Sequence, residues 1–155
     1  MLKGLPAGSY RVSLSMIPAG QYLKSIRSGG QDLIASALVV VPAGAGPIEV
    51  VMSPNAAHAS GVLPEGVTVS AWSDHSFFST TTGYDGAFDF PRLPAGNYRL
   101  LAWEKIEQGL DSLPEFRQKF DAKALTIKLD EKAQVNLVVP LIPRDAIERE
   151  AAKLP

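Results

Sequence analysis

Two histidines, a handful of serines and scattered carboxylates are what this chain offers for chemistry. A metal site would need His58 and His75 in one place with a third ligand. Asp74 adjoins His75, but neighbours on a strand point to opposite faces, and Asp74-His75-Ser76 reads as a solvated turn. A Ser-His-Asp hydrolase needs an exposed, activated serine, and the Gly-x-Ser-x-Gly elbow is absent. Ser60, Ser73, Ser76 and Ser79 are then the serines that a histidine would have to reach in the folded chain. Asp85 and Asp89 would share one face of a strand about 13 Å apart. That is too far for the carboxylate pair of a retaining glycosidase, at ~5 Å, and Asp85 is better explained as a turn former. Trp72, Phe77, Phe78 and Trp103 are candidates for stacking on a ligand. Trp72 falls on a polar-patterned face that would suit a sugar platform. Trp103 follows a strand and is expected to pack on the segment after it. Packing is favoured over carbohydrate binding; no catalytic residue or metal ligand is assigned, and no cofactor is implied.

The elements that position these residues read as short strands and turns. The chain has 155 residues, 46% hydrophobic and 20% charged, with 13 glycines and 12 prolines as punctuation. Its formal net charge of −1 argues against a nucleic-acid binder, which would show a basic patch. The absence of cysteine excludes disulfides and thiolate metal sites and leaves the compartment open. No apolar run reaches the ~18 residues of a membrane span. Met1-Leu2-Lys3-Gly4 does not start a signal peptide; if the protein is exported, its signal has been removed or this chain begins inside a longer one.

Strands are expected at Tyr10–Leu14, Tyr22–Ile26, Ala37–Val41 and Ile48–Met52, then at Val67–Trp72, Phe77–Thr81, Ala87–Phe90 and Asn97–Trp103. In Val67–Trp72 the period of two sends Val67, Val69 and Ala71 one way and Thr68, Ser70 and Trp72 the other. Gly83-Tyr84-Asp85-Gly86 reads as a hairpin turn between Phe77–Thr81 and Ala87–Phe90. Glu104–Lys123 is a polar crossover with one short helix opened by Pro114. Ala124–Leu129 and Ala133–Val139 finish the sheet through Asp130-Glu131-Lys132. Arg144–Lys153 is a short helix or a solvated tail, the tail being the blander reading, since so short a helix is unstable without docking.

One phrase occurs twice. Leu5-Pro6-Ala7-Gly8-Ser9-Tyr10-Arg11 returns 88 positions later as Leu93-Pro94-Ala95-Gly96-Asn97-Tyr98-Arg99, about the size of a small β-sandwich. Proline suits the second position of a turn and the glycine after it accepts positive φ. The turn delivers Tyr10 and Tyr98, whose rings can bury while the hydroxyls reach a backbone partner, as in a tyrosine corner. The repeat extends further: Ala37-Leu38-Val39-Val40 aligns with Ala124-Leu125-Thr126-Ile127, and the segment from Pro47 with that from Ala133. The first copy lacks the front half, equivalent to His58–Phe90.

Tyr84-Asp85-Gly86-Ala87-Phe88-Asp89-Phe90 followed by Leu93-Pro94-Ala95-Gly96-Asn97-Tyr98-Arg99-Leu100 resembles the carboxypeptidase regulatory-like domain, in which an Asp-Gly-x-Phe hairpin precedes a Leu-x-Pro-Gly-x-Tyr turn. Tyr22–Asp32 and Pro47–Ala56 resemble segments of tandem-repeat envelope proteins of soil bacteria. The resemblance implies an all-β, prealbumin-like (transthyretin-like, Ig-like) sandwich. One departure is the very short Gly61–Val67, where the family places an extra loop. The expected organisation is 1–54 as the C-terminal half of one module, 55–142 as a complete module and 143–155 as a short helix or tail.

The expected role is non-catalytic: a structural or interaction module of an exported or envelope-associated bacterial protein, located outside the cell or in its envelope. A carbohydrate- or peptide-binding accessory domain is the alternative, and a small serine-type hydrolase the third. Strands 37–41 and 48–52 are apolar and lack sheet partners in half a module. They are therefore expected to complete the second module's sheets or to pair with another copy, giving a dimer or a filament. Carbohydrate or another envelope protein is the other candidate partner; nucleic acid and a membrane span are not expected.

Overall fold

The computed structural model describes residues 6–11, 14–33, 38–41, 46–74 and 76–155. The chain is predominantly β-sheet, with a short C-terminal helix. The 13 described strands are β1 (Gly8–Arg11), β2 (Tyr22–Ser28), β3 (Gln31–Asp32), β4 (Leu38–Val41), β5 (Ile48–Ser53), β6 (Ala57–Val62), β7 (Thr68–Trp72), β8 (Phe77–Thr81), β9 (Ala87–Leu93), β10 (Gly96–Trp103), β11 (Leu125–Leu129), β12 (Gln134–Asn136) and β13 (Leu141–Ile142). Two α-helices, α1 (Pro114–Arg117) and α2 (Arg144–Ala151), join 3₁₀ turns at Leu110–Ser112 and Gln118–Lys123.

The later strands form a sandwich. One sheet runs β11-β10-β7-β8, with β13 parallel to the end of β10, and the other runs β12-β6-β9. Between them Val67, Val69, Ala71, Leu100 and Ala102 of the first sheet meet Ala57, Ala59, Phe88 and Phe90 of the second, all buried. Gly61 belongs to this interior: a Cβ there would lie 2.4 Å from the Leu137 carbonyl oxygen and 2.5 Å from the Phe88 ring. Only glycine lets β6 and β9 close at that point.

Two turns do something other than what their sequences suggest. Gly83–Gly86 does not connect paired strands. β8 pairs with β7 and β9 with β6, so the turn carries the chain from one sheet to the other. The Asp130–Lys132 turn likewise passes from β11 to β12, which lies parallel to β6 in the opposite sheet. Turn chemistry specifies a local reversal, but here the alternation of apolar residues must serve two facing sheets, and burial decides the partners.

The first sheet is covered on both faces. β7 alternates as expected, yet Ser70 and Trp72 do not reach solvent: Trp72, Leu101, Trp103, Phe116, Phe120, Ile142 and Ile147 form a second buried cluster beneath the crossover and α2. The C-terminal segment is therefore a docked helix and not a solvated tail. Ile147 is buried on it, and Lys119 of the crossover meets Glu150 at 3.5 Å.

The strands expected to lack partners have them. β4 pairs with β1, and β5 with β2 in a β3-β2-β5 sheet. Among the described residues none of these pairs with a strand of the sandwich, so completion of the second module's sheets by 37–41 and 48–52 is corrected. Ile26 and Ile48 form the centre of a small core with Tyr10, Leu23, Leu33 and Val50 around it.

The repeat is exact in register. β1 pairs Gly8 with Val41 and Tyr10 with Val39; β10 pairs Gly96 with Leu129 and Tyr98 with Ile127. Each pair is displaced by the same 88 positions as the repeated phrase. This corrects the sequence alignment of Val39 with Thr126 by one residue. A slip of one would turn every side chain of the strand to the other face. Where the copies part is the crossover: the first copy has β2 and β3 where the second has helical turns, and β2 lies antiparallel beside β5 in the place that β6, parallel, holds beside β12.

Candidate functional site

The repeated phrase builds the same corner twice. The Tyr10 hydroxyl donates to the Pro6 carbonyl oxygen at 2.9 Å, and the Tyr98 hydroxyl to that of Pro94 at 2.7 Å. Proline has no N–H, but its carbonyl stays free to accept, and the turn brings it back over the ring. Gly96 takes φ 155°, whereas Gly8 is not among the glycines with positive φ, so a left-handed glycine is not what the two corners share. Burial, with the nearby Tyr22 phenol as a lesser cause, pushes the Tyr98 hydroxyl up to about 12.

Beside this corner lies a cleft of about 880 Å³. One wall is Ile17 and Gln21–Lys24 from the first half of the chain. The other runs along β8 and β9, from Ser76 to Thr80 and from Asp89 to the Pro94 corner. β8 and β9 are each the last strand of their sheet, so both edges open on the same side. Phe77 and Phe78 line the cleft; Phe77 is 36% exposed and Phe78 half-buried, its ring 6.4 Å from that of Tyr98.

The two tryptophans are elsewhere, and the expectation of a sugar platform at Trp72 is corrected. Trp72 is 8% exposed and Trp103 fully buried. The polar pattern that pointed Trp72 outward belongs to a face that the crossover covers. Ser70 on that face accepts a hydrogen bond from Trp103 Nε1 at 3.0 Å and donates to Asp111 Oδ2 at 2.8 Å; Ser79 donates to the same oxygen at 2.9 Å. Arg117 closes the network. Its guanidinium stands 5.0 Å from the Trp72 ring and 4.9 Å from that of Phe77, and Nη1 donates to the Asp111 carbonyl. Desolvation lowers its pKa, against the opposing pull of Asp111, Asp121 and Glu115. Its Nε is buried without a hydrogen-bond partner, so the cation is held by the two ring faces and the Asp111 backbone carbonyl. Asp111 and Arg117, which carry this arrangement, were not singled out from the sequence. Their signal was only a charged pair six residues apart in a polar crossover.

The remaining candidates stand apart. His58 on β6 pairs through Nε2 with Asp89 Oδ1 of β9, on the exposed outer face of the second sheet. Ser60 lies on the same face, in register with Asp89. Ser73 and Ser76 close the β7–β8 hairpin, where the Ser73 N–H donates to the Ser76 carbonyl at 2.9 Å. Ser79 is engaged with Asp111, and His75 lies outside the described residues. Asp85 caps its turn by accepting from the Ala87 N–H at 3.0 Å, and Gly86 holds φ 74°. Among the described residues no three His, Asp or Glu side chains gather as a metal site would require, and no described helix is long and apolar enough to cross a membrane.

No protein-family model matches the chain, and no curated protein matches it. Among solved structures it is similar to the Bacillus anthracis TIE protein, at 10% identity over 88% of this chain, with a TM-score of 0.40. It is also similar to BcpA, the major pilin subunit of Bacillus cereus, at 10% identity over 80% of this chain, with a TM-score of 0.36. The chain spans 34% of the first protein and 56% of the second.

Proposed function

We propose that this chain is a non-catalytic structural module, of the carboxypeptidase regulatory-like kind, in an exported or envelope-associated bacterial protein. In this reading 55–142 is one complete module, 1–54 the back half of another and 143–155 a helical cap. The observation that carries it is where the polar side chains are spent. Ser70, Ser79, Asp111 and Arg117 are engaged in tying the crossover to the sheet, and the buried Tyr98 hydroxyl beside the cleft is engaged with the Pro94 carbonyl. The cleft combines two strand edges, Pro91, Pro94, Phe77 and Phe78 with exposed polar side chains such as Lys24, Asp74 and Arg92, a lining suited to contact with another polypeptide.

Among the described residues His58, Asp89 and Ser60 form the constellation a hydrolase would use, and His58 and Asp89 are exposed on the outer sheet face, with Asp89 at the edge of the cleft, where water is not excluded as acyl transfer needs. The test is a panel of chromogenic esters together with a titration of tryptophan fluorescence by oligosaccharides. The expected result is no turnover above a Ser60→Ala control and no saturable change in emission. Ester turnover abolished by Ser60→Ala overturns the reading in favour of the hydrolase; a saturable emission change overturns it in favour of carbohydrate binding.

A further inference from the structure

The described sheets break register at two places, and each break falls beside a cation that lines the cleft. Between Leu23 and Ser25, which pair with Met52 and Val51, β2 carries Lys24 as an extra residue. Between Phe90 and Leu93, which pair with Ala59 and Ala57, β9 sets Pro91 and Arg92 against the single residue His58. A bulge re-aims the side chain it carries, and such irregularities gather at sheet edges and functional sites. Lys24 and Arg92 line the cleft from its two walls, and both are exposed. Among the described residues neither takes part in an ion pair. Of the carboxylates that line the cleft, Asp89 is paired with His58 and Asp74 stands on the β7–β8 hairpin, so the two bulge cations are left unanswered.

The same cleft is bordered by a strand edge that nothing blunts. β8 ends its sheet, and its five residues, Phe77-Phe78-Ser79-Thr80-Thr81, contain neither charge nor proline, whereas the β9 edge carries Asp89, Pro91 and Arg92. The Thr82 N–H donates to the Val67 carbonyl and the Ser73 N–H to that of Ser76, which fixes the alternation of the β7–β8 ladder. Phe78 and Thr80 therefore bond inward to β7, while the backbone N–H and C=O groups of Phe77, Ser79 and Thr81 face outward. Their row spans about 16 Å. An edge row of this kind offers main-chain pairing to an extended chain, and charges on the rim select which chain. A neutral or basic strand laid there would leave Lys24 and Arg92 without counter-charge; an acidic one supplies it.

We propose that the cleft takes an extended acidic peptide of another protein, its backbone added as a strand along β8 and its carboxylates set against Lys24 and Arg92. The proposal rests on the reading of the cleft as a contact for another polypeptide. Its test reads peptide affinity, whereas ester turnover and oligosaccharide titration read the non-catalytic role, so the failure of one is distinguishable from the failure of the other.

A phage-displayed library of random nine-residue peptides, panned on the full chain, is expected to enrich acidic sequences without proline. An enriched peptide is then synthesised with a fluorescent label and its affinity read by anisotropy. Lys24→Glu and Arg92→Glu are each expected to weaken it by roughly three- to tenfold and to reduce its salt dependence. Both side chains are exposed, and circular dichroism verifies that the fold is retained. Lys105→Glu, an exposed cation that does not line the cleft, is expected to leave affinity unchanged. Methylating the peptide's backbone nitrogens one at a time leaves the protein untouched and reads the strand directly. Affinity is expected to fall by about tenfold at alternate positions, those that face β8, and to hold at the positions between. No enrichment overturns the proposal, as does enrichment of peptides without acidic residues, or affinity indifferent to both charge reversals. Methylation tolerated everywhere, or harmful without alternation, overturns the added strand.

Discussion

Gly86 and Gly66 share a φ of 74°, yet they differ in what a side chain would meet. At Gly66 nothing lies within 4 Å of a Cβ; at Gly86 the Cβ would sit 2.0 Å from the carbonyl oxygen of Leu63, whose N–H is bonded to the Gly86 carbonyl at 2.8 Å. Gly66→Ala should cost only the left-handed penalty of about 1–2 kcal/mol. Gly86→Ala should cost that and a displaced backbone contact, about 3 kcal/mol or more, and denaturant midpoints of the two variants measure the difference. Equal losses would mean that the Gly86–Leu63 approach carries no weight. Tyr98 allows a second separation. In the fold its phenol keeps its proton to about pH 12, against 10.0 ordinarily. Between those values the unfolded chain binds fewer protons than the folded one. Stability present below pH 10 is thus lost as pH rises through the window, by up to ~2–3 kcal/mol. Tyr98→Phe should cost about 1 kcal/mol at neutral pH through the lost bond to Pro94 and should flatten the decline above pH 10. A decline as steep in the variant as in the parent would assign it to the other titrating groups.

At the scale of elements, the sequence was legible wherever a strand obeyed one period and one neighbour. β5, β8 and β10 lie within a residue of their expected bounds, and Pro114 opens α1 as its fixed φ suggests. Partners were less legible than strands. The Asp85-Gly86 pair looks like a hairpin turn because its chemistry is that of a reversal; nothing local says that the next strand joins the opposite sheet. Trp72 misled for a related reason. Serine and threonine around it read as a wet face, but a hydroxyl does not distinguish water from a buried carboxylate, and the carboxylate lies 41 residues downstream of Ser70. That distance also makes Asp111 the point at which crossover and sheet are joined. It is buried, accepts from two serines and lies beside the Arg117 cation. Asp111→Ala is expected to destabilise by about 3 kcal/mol, leaving the guanidinium less compensated, and to expose Trp72 and Trp103. A red shift of tryptophan emission at unchanged far-ultraviolet circular dichroism reads the loosened crossover. A variant with parental emission and stability would show that the rings alone hold it.

The whole molecule is two unequal cores on one chain. The sandwich buries thirteen side chains between its sheets, with seven more packed around them, and a second cluster under the crossover. The described part of the first half buries Ile26 and Ile48, with four partly buried neighbours. Both halves use the same tyrosine corner and the same strand register, so local geometry does not distinguish them; the amount of apolar surface removed from water does. At roughly 25 cal/mol per Å² the smaller core offsets far less of the backbone entropy of its strands, and regions with little apolar burial open locally before the rest of a fold. Hydrogen exchange on the full chain should therefore show β2 and β5 amides exchanging by local opening, and β7 and β10 amides only near global unfolding. Uniform protection across both halves would show that the interface lined by Tyr22 and the Pro94 corner couples them into one cooperative unit. In that case the half-module draws its stability from the sandwich beside it.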